Sequence, residues 1–204
     1  MNPKAKILIP LAVALVVIAA GVTASMLFIA GVRPGVATSG TGLIGGPFTL
    51  VATDGATVSD QTYRGKWQII YFGYTFCPDA CPVALSKLSI ALEKLGSDAD
   101  KVQAIFITVD PQRDTQQVLV EYLKSFDSRV AGLTGPQAEI EKVIKEYRVY
   151  AAPQKTGGND YLVDHSSYFY LMDPQGTFRN VLDPSSSGEE LAERLRKEIG
   201  NRNG

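Results

Sequence analysis

An α/β fold, with a mixed sheet flanked by helices and one membrane-crossing helix ahead of it, is the class the sequence predicts, and three observations predict it. Residues Ile7 to Val32 form a run of 26 without a charged side chain. Two continuous apolar runs, 67–75 and 102–110, bracket a segment of helical period, which is the order of a β-α-β unit with parallel strands. Two further strand-like runs meet at the turn Asp173-Pro174-Gln175-Gly176 and are followed by an amphipathic segment.

As a helix, the uncharged run reaches about 39 Å at about 1.5 Å per residue, enough to cross a bilayer. Lys4 and Lys6 precede it and only Arg33 flanks it on the other side. This charge bias predicts residues 1–6 in the cytoplasm, 7–32 as a transmembrane anchor and the rest exported. A cleavable signal has a shorter apolar core, about 7–15 residues, and a buried core helix would show a polar face. Residues 33–46, RPGVATSGTGLIGG, present no periodic face and read as a flexible tether to a domain spanning 47–204. The expected location is a single pass through an inner membrane with the domain in the periplasm, or on the intermembrane-space side in a mitochondrion. The lack of an Arg- and Ser-rich transit segment favours the periplasm.

Within the domain, FTLVATDGATVSD predicts a small hairpin around Asp54-Gly55, and WQIIYFGYT a strand buried on both faces. From about Pro82, Leu85, Leu88, Leu92 and Leu95 recur at helical spacing, and VQAIFITVD supplies the second buried strand. Asp114 or Thr115 caps a helix running to about Phe126. A short strand near 130–133, a helix over 136–147 and a loop rich in Gly and Pro come next. SSYFYLMD and TFRNVLD make a terminal hairpin, and Ser185 to Ser187 cap the helix EELAERLRKEIG. With cysteines directly after the first buried strand, this order is that of a thioredoxin-like fold.

The composition excludes several functions. A chain of 204 residues, 45% hydrophobic and 20% charged, suits one domain of roughly 150 residues plus the anchor. Every acidic residue lies after position 53, so without Lys4, Lys6 and Arg33 the remainder carries 17 basic against 21 acidic side chains. That sign repels phosphate backbones and rules out sequence-independent nucleic-acid binding. Two cysteines and one histidine are too few for a disulfide-stapled scaffold, a four-cysteine iron–sulfur centre or a four-ligand structural zinc site.

Cys77 and Cys81 sit in FCPDACP, between the apolar strand and the helix. Pro82 is tolerated only where a helix begins, so the cysteines belong to the approach loop and first turn, where unsatisfied N–H groups favour thiolate. Four residues apart on a helical turn, their α-carbons are about 6 Å apart, a spacing that admits either a disulfide or a shared metal. Two thiolates are soft ligands that select Cu(I), and one imidazole would complete a set suited to copper. His165 is the sole candidate, placed at the approach to the terminal hairpin strand, with Asp164 beside it as an orienting group for the other ring nitrogen.

GGPFTLVATDG, GKWQIIYFGYTFCPDACP, FITVDPQRDT and YLVDHSSYFYLMDPQGTF, in that order, resemble the motifs of the Sco/SenC family of copper chaperones over about residues 45–200. The resemblance implies a membrane-tethered thioredoxin-like domain that binds copper through Cys77, Cys81 and His165. It further implies delivery to the CuA site of cytochrome c oxidase subunit II, with another periplasmic copper carrier as a conceivable donor. Asp79, Asp110, Asp114 and Asp164 fall inside the same motifs, where caps and turns explain them as well as support of the ligands does. Many members carry histidine before the first cysteine, where this chain has Phe76. That ring either restricts solvent around the sulfurs or packs under the loop. Met172 reads as core rather than ligand.

Three other chemistries use the same residues. A thiol–disulfide reductase, with Cys77 as the exposed nucleophile and Cys81 as resolver, would keep the cysteines of subunit II reduced. Against it, Asp164-His165 stands where thioredoxin-like oxidoreductases usually place a cis-proline. A peroxiredoxin-type peroxidase needs Pro and Thr where Ile70 and Tyr74 stand. A zinc enzyme lacks an evident general base beyond the aspartates.

Overall fold

The computed structural model describes residues 44–157 and 160–200. The expected anchor and nearly all of the tether lie outside the described residues, and among those described no helix is long and apolar enough to cross a membrane. The strands are β1 (Thr49–Ala52), β2 (Thr57–Ser59), β3 (Trp67–Gly73), β4 (Val102–Thr108), β5 (Val130–Thr134), β6 (Ala151–Gly157), β7 (Asp160–His165), β8 (Phe169–Met172) and β9 (Phe178–Leu182). The helices are α1 (Ala80–Leu95), α2 (Gln116–Leu123), α3 (Gln137–Glu146) and α4 (Gly188–Gly200).

Seven strands form one mixed sheet in the order β2-β1-β5-β4-β3-β8-β9. β3, β4 and β5 run parallel, and β8 returns antiparallel on the other side of β3. Every residue of β3 is buried, as its unbroken apolar run requires. Successive side chains point to opposite faces: Tyr71 meets Phe106 and Phe169, while Phe72 meets Tyr147 and Tyr170. On the outside, α1 packs along α4, α2 on β5 and α3 on β1. The result is the thioredoxin-like arrangement of a mixed sheet flanked by helices.

Most element boundaries agree with the sequence reading, and the disagreements have local causes. α1 begins at Ala80, so Cys81 and Pro82 are both inside its first turn, where a missing N–H costs no intrahelical bond. α2 stops at Leu123 rather than Phe126. Thr115 is its N-cap, the hydroxyl accepting from Val118 N–H at 3.4 Å, and Asp114 is not a cap. Ser187 and Glu190 form a reciprocal capping box at the start of α4. The largest difference is the stretch read as a Gly- and Pro-rich loop. It is the antiparallel ribbon β6–β7, paired from Ala151↔His165 to Gly157↔Asp160. Pro153 fits there because alternate amides of a two-stranded ribbon face away from the partner strand. His165 therefore ends a ribbon of its own rather than opening the strand that starts the terminal hairpin.

Candidate metal centre

The site forms where β3 runs into α1. Cys77 closes a turn with its N–H donating to Tyr74 C=O at 3.3 Å, and Cys81 follows in the first helical turn. Cys81 is fully buried and Cys77 half-buried. Gly73, the last residue of β3, has to be glycine: an added β-carbon would stand 2.8 Å from Cys81 Sγ and 2.9 Å from Phe106. The sheet thus sets the depth of the inner sulfur.

His165, 84 positions downstream, reaches this point with Nε2 at 3.4 Å from Cys81 Sγ. The two sulfurs and a ring nitrogen all lie within 4.8 Å of one another. Metal–ligand bonds of about 2.0–2.3 Å put neighbouring donor atoms roughly 3.3–4 Å apart, so the three donors stand close to coordination spacing. The imidazole is held edge-on by Tyr71 and Tyr74, with centroids at 6.2 and 5.7 Å. Its Nδ1 lies 3.1 Å from Ser166 C=O. A carbonyl only accepts, so that contact assigns the proton to Nδ1 and leaves the Nε2 lone pair facing the sulfurs. Ser166 does what the sequence assigned to Asp164, which is exposed on the other face of β7.

The sulfurs differ electrostatically. The Cys77 thiol is pulled down to about 3, first by the hydrogen bond that the Cys81 thiol donates, with burial opposing and the amides of Cys81 and Asp79 assisting. The Cys81 N–H points at Cys77 Sγ from 3.4 Å. Cys81 is pushed up, first by that same bond to Cys77 and then by burial. The pair therefore holds one proton, carried by the buried sulfur, with the thiolate on the outer one. The expected helix-terminus amides serve Cys77. The amide beside Cys81 is that of Tyr74, from the preceding loop. Tyr71 donates to Cys81 Sγ at 4.0 Å, and burial raises its phenol well above the ordinary range.

Asp79 is at the N-cap position of α1 and makes no side-chain cap bond. Asp114, fully buried, accepts from Thr75 N–H at 3.0 Å, Thr75 Oγ1 at 2.6 Å and Thr108 Oγ1 at 2.6 Å, tying the cysteine loop to the end of β4. Burial raises its carboxyl. Asp110 is buried between Arg113 and Tyr161. Phe76 does not pack under the loop. It is 55% exposed, with the Arg113 guanidinium 4.8 Å from its ring centre. Met172 is core. Sequence reasoning passed over Tyr71, Tyr74, Thr75, Arg113, Tyr161 and Ser166. The RD pair in VDPQRDT and the aromatics in YFGYT were visible, but their roles depend on contacts 39 to 94 positions away.

Two kinds of comparison bear on this site. The SCO1/SenC family model matches residues 36–200. Protein sco1 of Schizosaccharomyces pombe is 45% identical over 160 residues, 76% of this chain and 61% of that protein. Protein SenC of Rhodobacter capsulatus is 36% identical over 200 residues, covering 95% of this chain and 90% of its own length. The chain spans about half to three-fifths of the length of the eukaryotic relatives it matches. Among solved structures, copper-bound ScoI of Bradyrhizobium japonicum superposes with a TM-score of 0.72 at 48% identity, covering 76% of this chain and 98% of that one. BsSco, a member of the Sco family of cytochrome c oxidase assembly proteins in which a disulfide switch is identified, superposes with a TM-score of 0.61 at 25% identity over 76% of this chain and 92% of its own.

Proposed function

The chain belongs to the SCO1/SenC family, and on that premise we propose that it is a membrane-anchored copper carrier that delivers its ion to the CuA site of cytochrome c oxidase subunit II. Cys77, Cys81 and His165 are the ligands in this reading, and 7–32 is the anchor. The observation that carries it is the convergence of Cys77 Sγ, Cys81 Sγ and His165 Nε2 within 4.8 Å. The donor set fits the cargo: two soft sulfurs, one already thiolate, and one neutral nitrogen with its lone pair free. Copper is cargo here, and the handover is ligand exchange without a change of oxidation state. A partner's thiolate approaches from the exposed side, His165 leaves first as the neutral donor, Cys77 follows from the mouth, and buried Cys81 releases last.

The test is copper stoichiometry and X-ray absorption on the full chain with Cys77→Ser, Cys81→Ser and His165→Ala. Loss of one sulfur scatterer in each serine variant and of one nitrogen in the alanine variant is expected. Unchanged copper binding in His165→Ala would overturn the assignment.

A second reading has its own support. Cys77 is a half-exposed thiolate beside a buried partner thiol, the arrangement of a nucleophile and its resolver. Attack on a partner disulfide would form a mixed disulfide. Cys81 would then displace the partner's thiol, leaving Cys77–Cys81 oxidised and the partner dithiol reduced, two electrons having moved. Copper-free reduction of a subunit II peptide disulfide, blocked by prior copper loading, would favour this reading.

A further inference from the structure

The ribbon that carries His165 is the part of the site with least support from the sheet. Among the described residues, β6 and β7 pair with each other and with no strand of the seven-stranded sheet. A two-stranded ribbon is marginal on its own. Against it lies an open cleft of about 580 Å³, lined among others by Val109, Ile144, Pro153 and Val163. Among the ribbon's described side chains only Val163 is buried in the core, with Ala151 and Tyr161 packed against it, so apolar packing seats one face at few points and specific contacts complete its placement.

Tyr161 makes them. By the two-residue strand period, Tyr161, Val163 and His165 share the inward face of β7, while Leu162 and Asp164 are exposed. The guanidinium of Arg113 lies 3.7 Å from the centre of the Tyr161 ring. Its Nη1 donates to Tyr161 C=O at 2.9 Å, and its Nε to Asp110 Oδ2 at 2.5 Å. The Tyr161 hydroxyl donates to Asp110 Oδ1 at 2.7 Å. One residue is thus held by its ring face, its carbonyl and its hydroxyl. His165 follows about 13 Å further along the same strand face. The guanidinium also lies 5.7 and 4.8 Å from the rings of Tyr74 and Phe76, on the cysteine loop.

We propose that Arg113 is the positioning residue for His165: with Asp110 it latches Tyr161 and thereby holds the ribbon where the imidazole meets the two sulfurs. The same short segment serves the other arm through Asp114 and Thr75, so residues 110–114 set the distance between the halves of the site. A lysine at 113 has neither the planar face for the ring nor two N–H groups in fixed relation.

This inference rests on the copper reading for its consequence, and its structural half can be read without copper. In the full chain purified in detergent, Arg113→Met should speed deuterium exchange over 151–165 while β3 and β4 stay protected. It should also weaken Cu(II) binding about tenfold, the penalty when only about a tenth of molecules hold the competent arrangement. The nitrogen hyperfine signature in the Cu(II) spectrum should fade, and Arg113→Lys should not restore it. Arg113→Met combined with His165→Ala should bind copper as His165→Ala does alone. Additive losses, or ribbon exchange unchanged by Arg113→Met, would overturn the proposal. If Arg113→Met loosens β3 and β4 as well, Tyr161→Ala, confined to the ribbon, carries the same measurements, and wild-type exchange there would overturn it. A His165→Ala variant with undiminished copper binding refutes the ligand assignment instead, leaving the exchange comparison to decide the role of Arg113.

Discussion

Cys77 and Cys81 hang from an interior strand of a seven-stranded sheet, whereas His165 hangs from a two-stranded ribbon joined to the molecule by side chains. The cysteine arm is continuous with the core: β3 is buried throughout, Gly73 meets the inner sulfur directly, and Asp114 stitches Thr75 to β4. The histidine arm has fewer supports: the Arg113 latch on Tyr161, the buried side chain of Val163 and the edges of Tyr71 and Tyr74, beside an open cleft. The stronger donors are therefore on the stiffer support and the neutral donor on the softer one. For a carrier, that asymmetry separates holding from releasing.

Copper affinity tests the contrast most sharply. Cys81→Ser should cost well over about 100-fold, beyond what loss of a supporting contact does, while His165→Ala should cost less than Cys81→Ser, up to about 100-fold, and more than Arg113→Met. Competition with a chromogenic chelator measures both, and equal losses would break the comparison. Alkylation probes the two sulfurs of the stiff arm. With its pKa near 3, Cys77 is thiolate throughout the neutral range, so its rate with iodoacetamide should stay flat from about pH 5 to 8. Buried, protonated Cys81 should not react over that window, and mass spectrometry of the modified peptides would show a rising Cys77 rate if the thiolate assignment is wrong.

Stability effects are smaller. Gly73→Ala should lower unfolding free energy by about 1–3 kcal/mol through overpacking against Cys81 and Phe106, read as a fall in Tm. No ribbon surface position should match it. Asp164→Asn should come last, within about 0.5 kcal/mol of wild type and with copper affinity unchanged, because that carboxylate faces solvent. A large effect there would restore the orienting role that the structure gives to Ser166.

The two arms also differ in how far the sequence reveals them. An unbroken apolar strand, Pro82 at a helix start and two cysteines four apart placed the stiff arm almost to the residue. His165 was identified by elimination, since it is the single imidazole. Its support was not legible. The Gly and Pro that follow the helix over 136–147 read as loop because a ribbon outside the main sheet has no second face to bury and shows little alternation. Arg113 sits in a motif whose aspartates drew attention, yet its role depends on Tyr161, 48 positions away. Asp114 looked like a cap because short polar residues before helices usually are. Only the fold shows that Thr75 and Thr108 converge on it.

The Nδ1 proton shared with Ser166 and the Nε2 turned to the sulfurs have a practical consequence, because the chain has one imidazole. Nitrogen-labelled histidine would yield the two ring signals of one residue, Nδ1 and Nε2, with no other imidazole to overlap them. Under the proposed carrier role, loading and departure of the ion would be followed in real time on the Nε2 signal, with an acceptor added to the same tube.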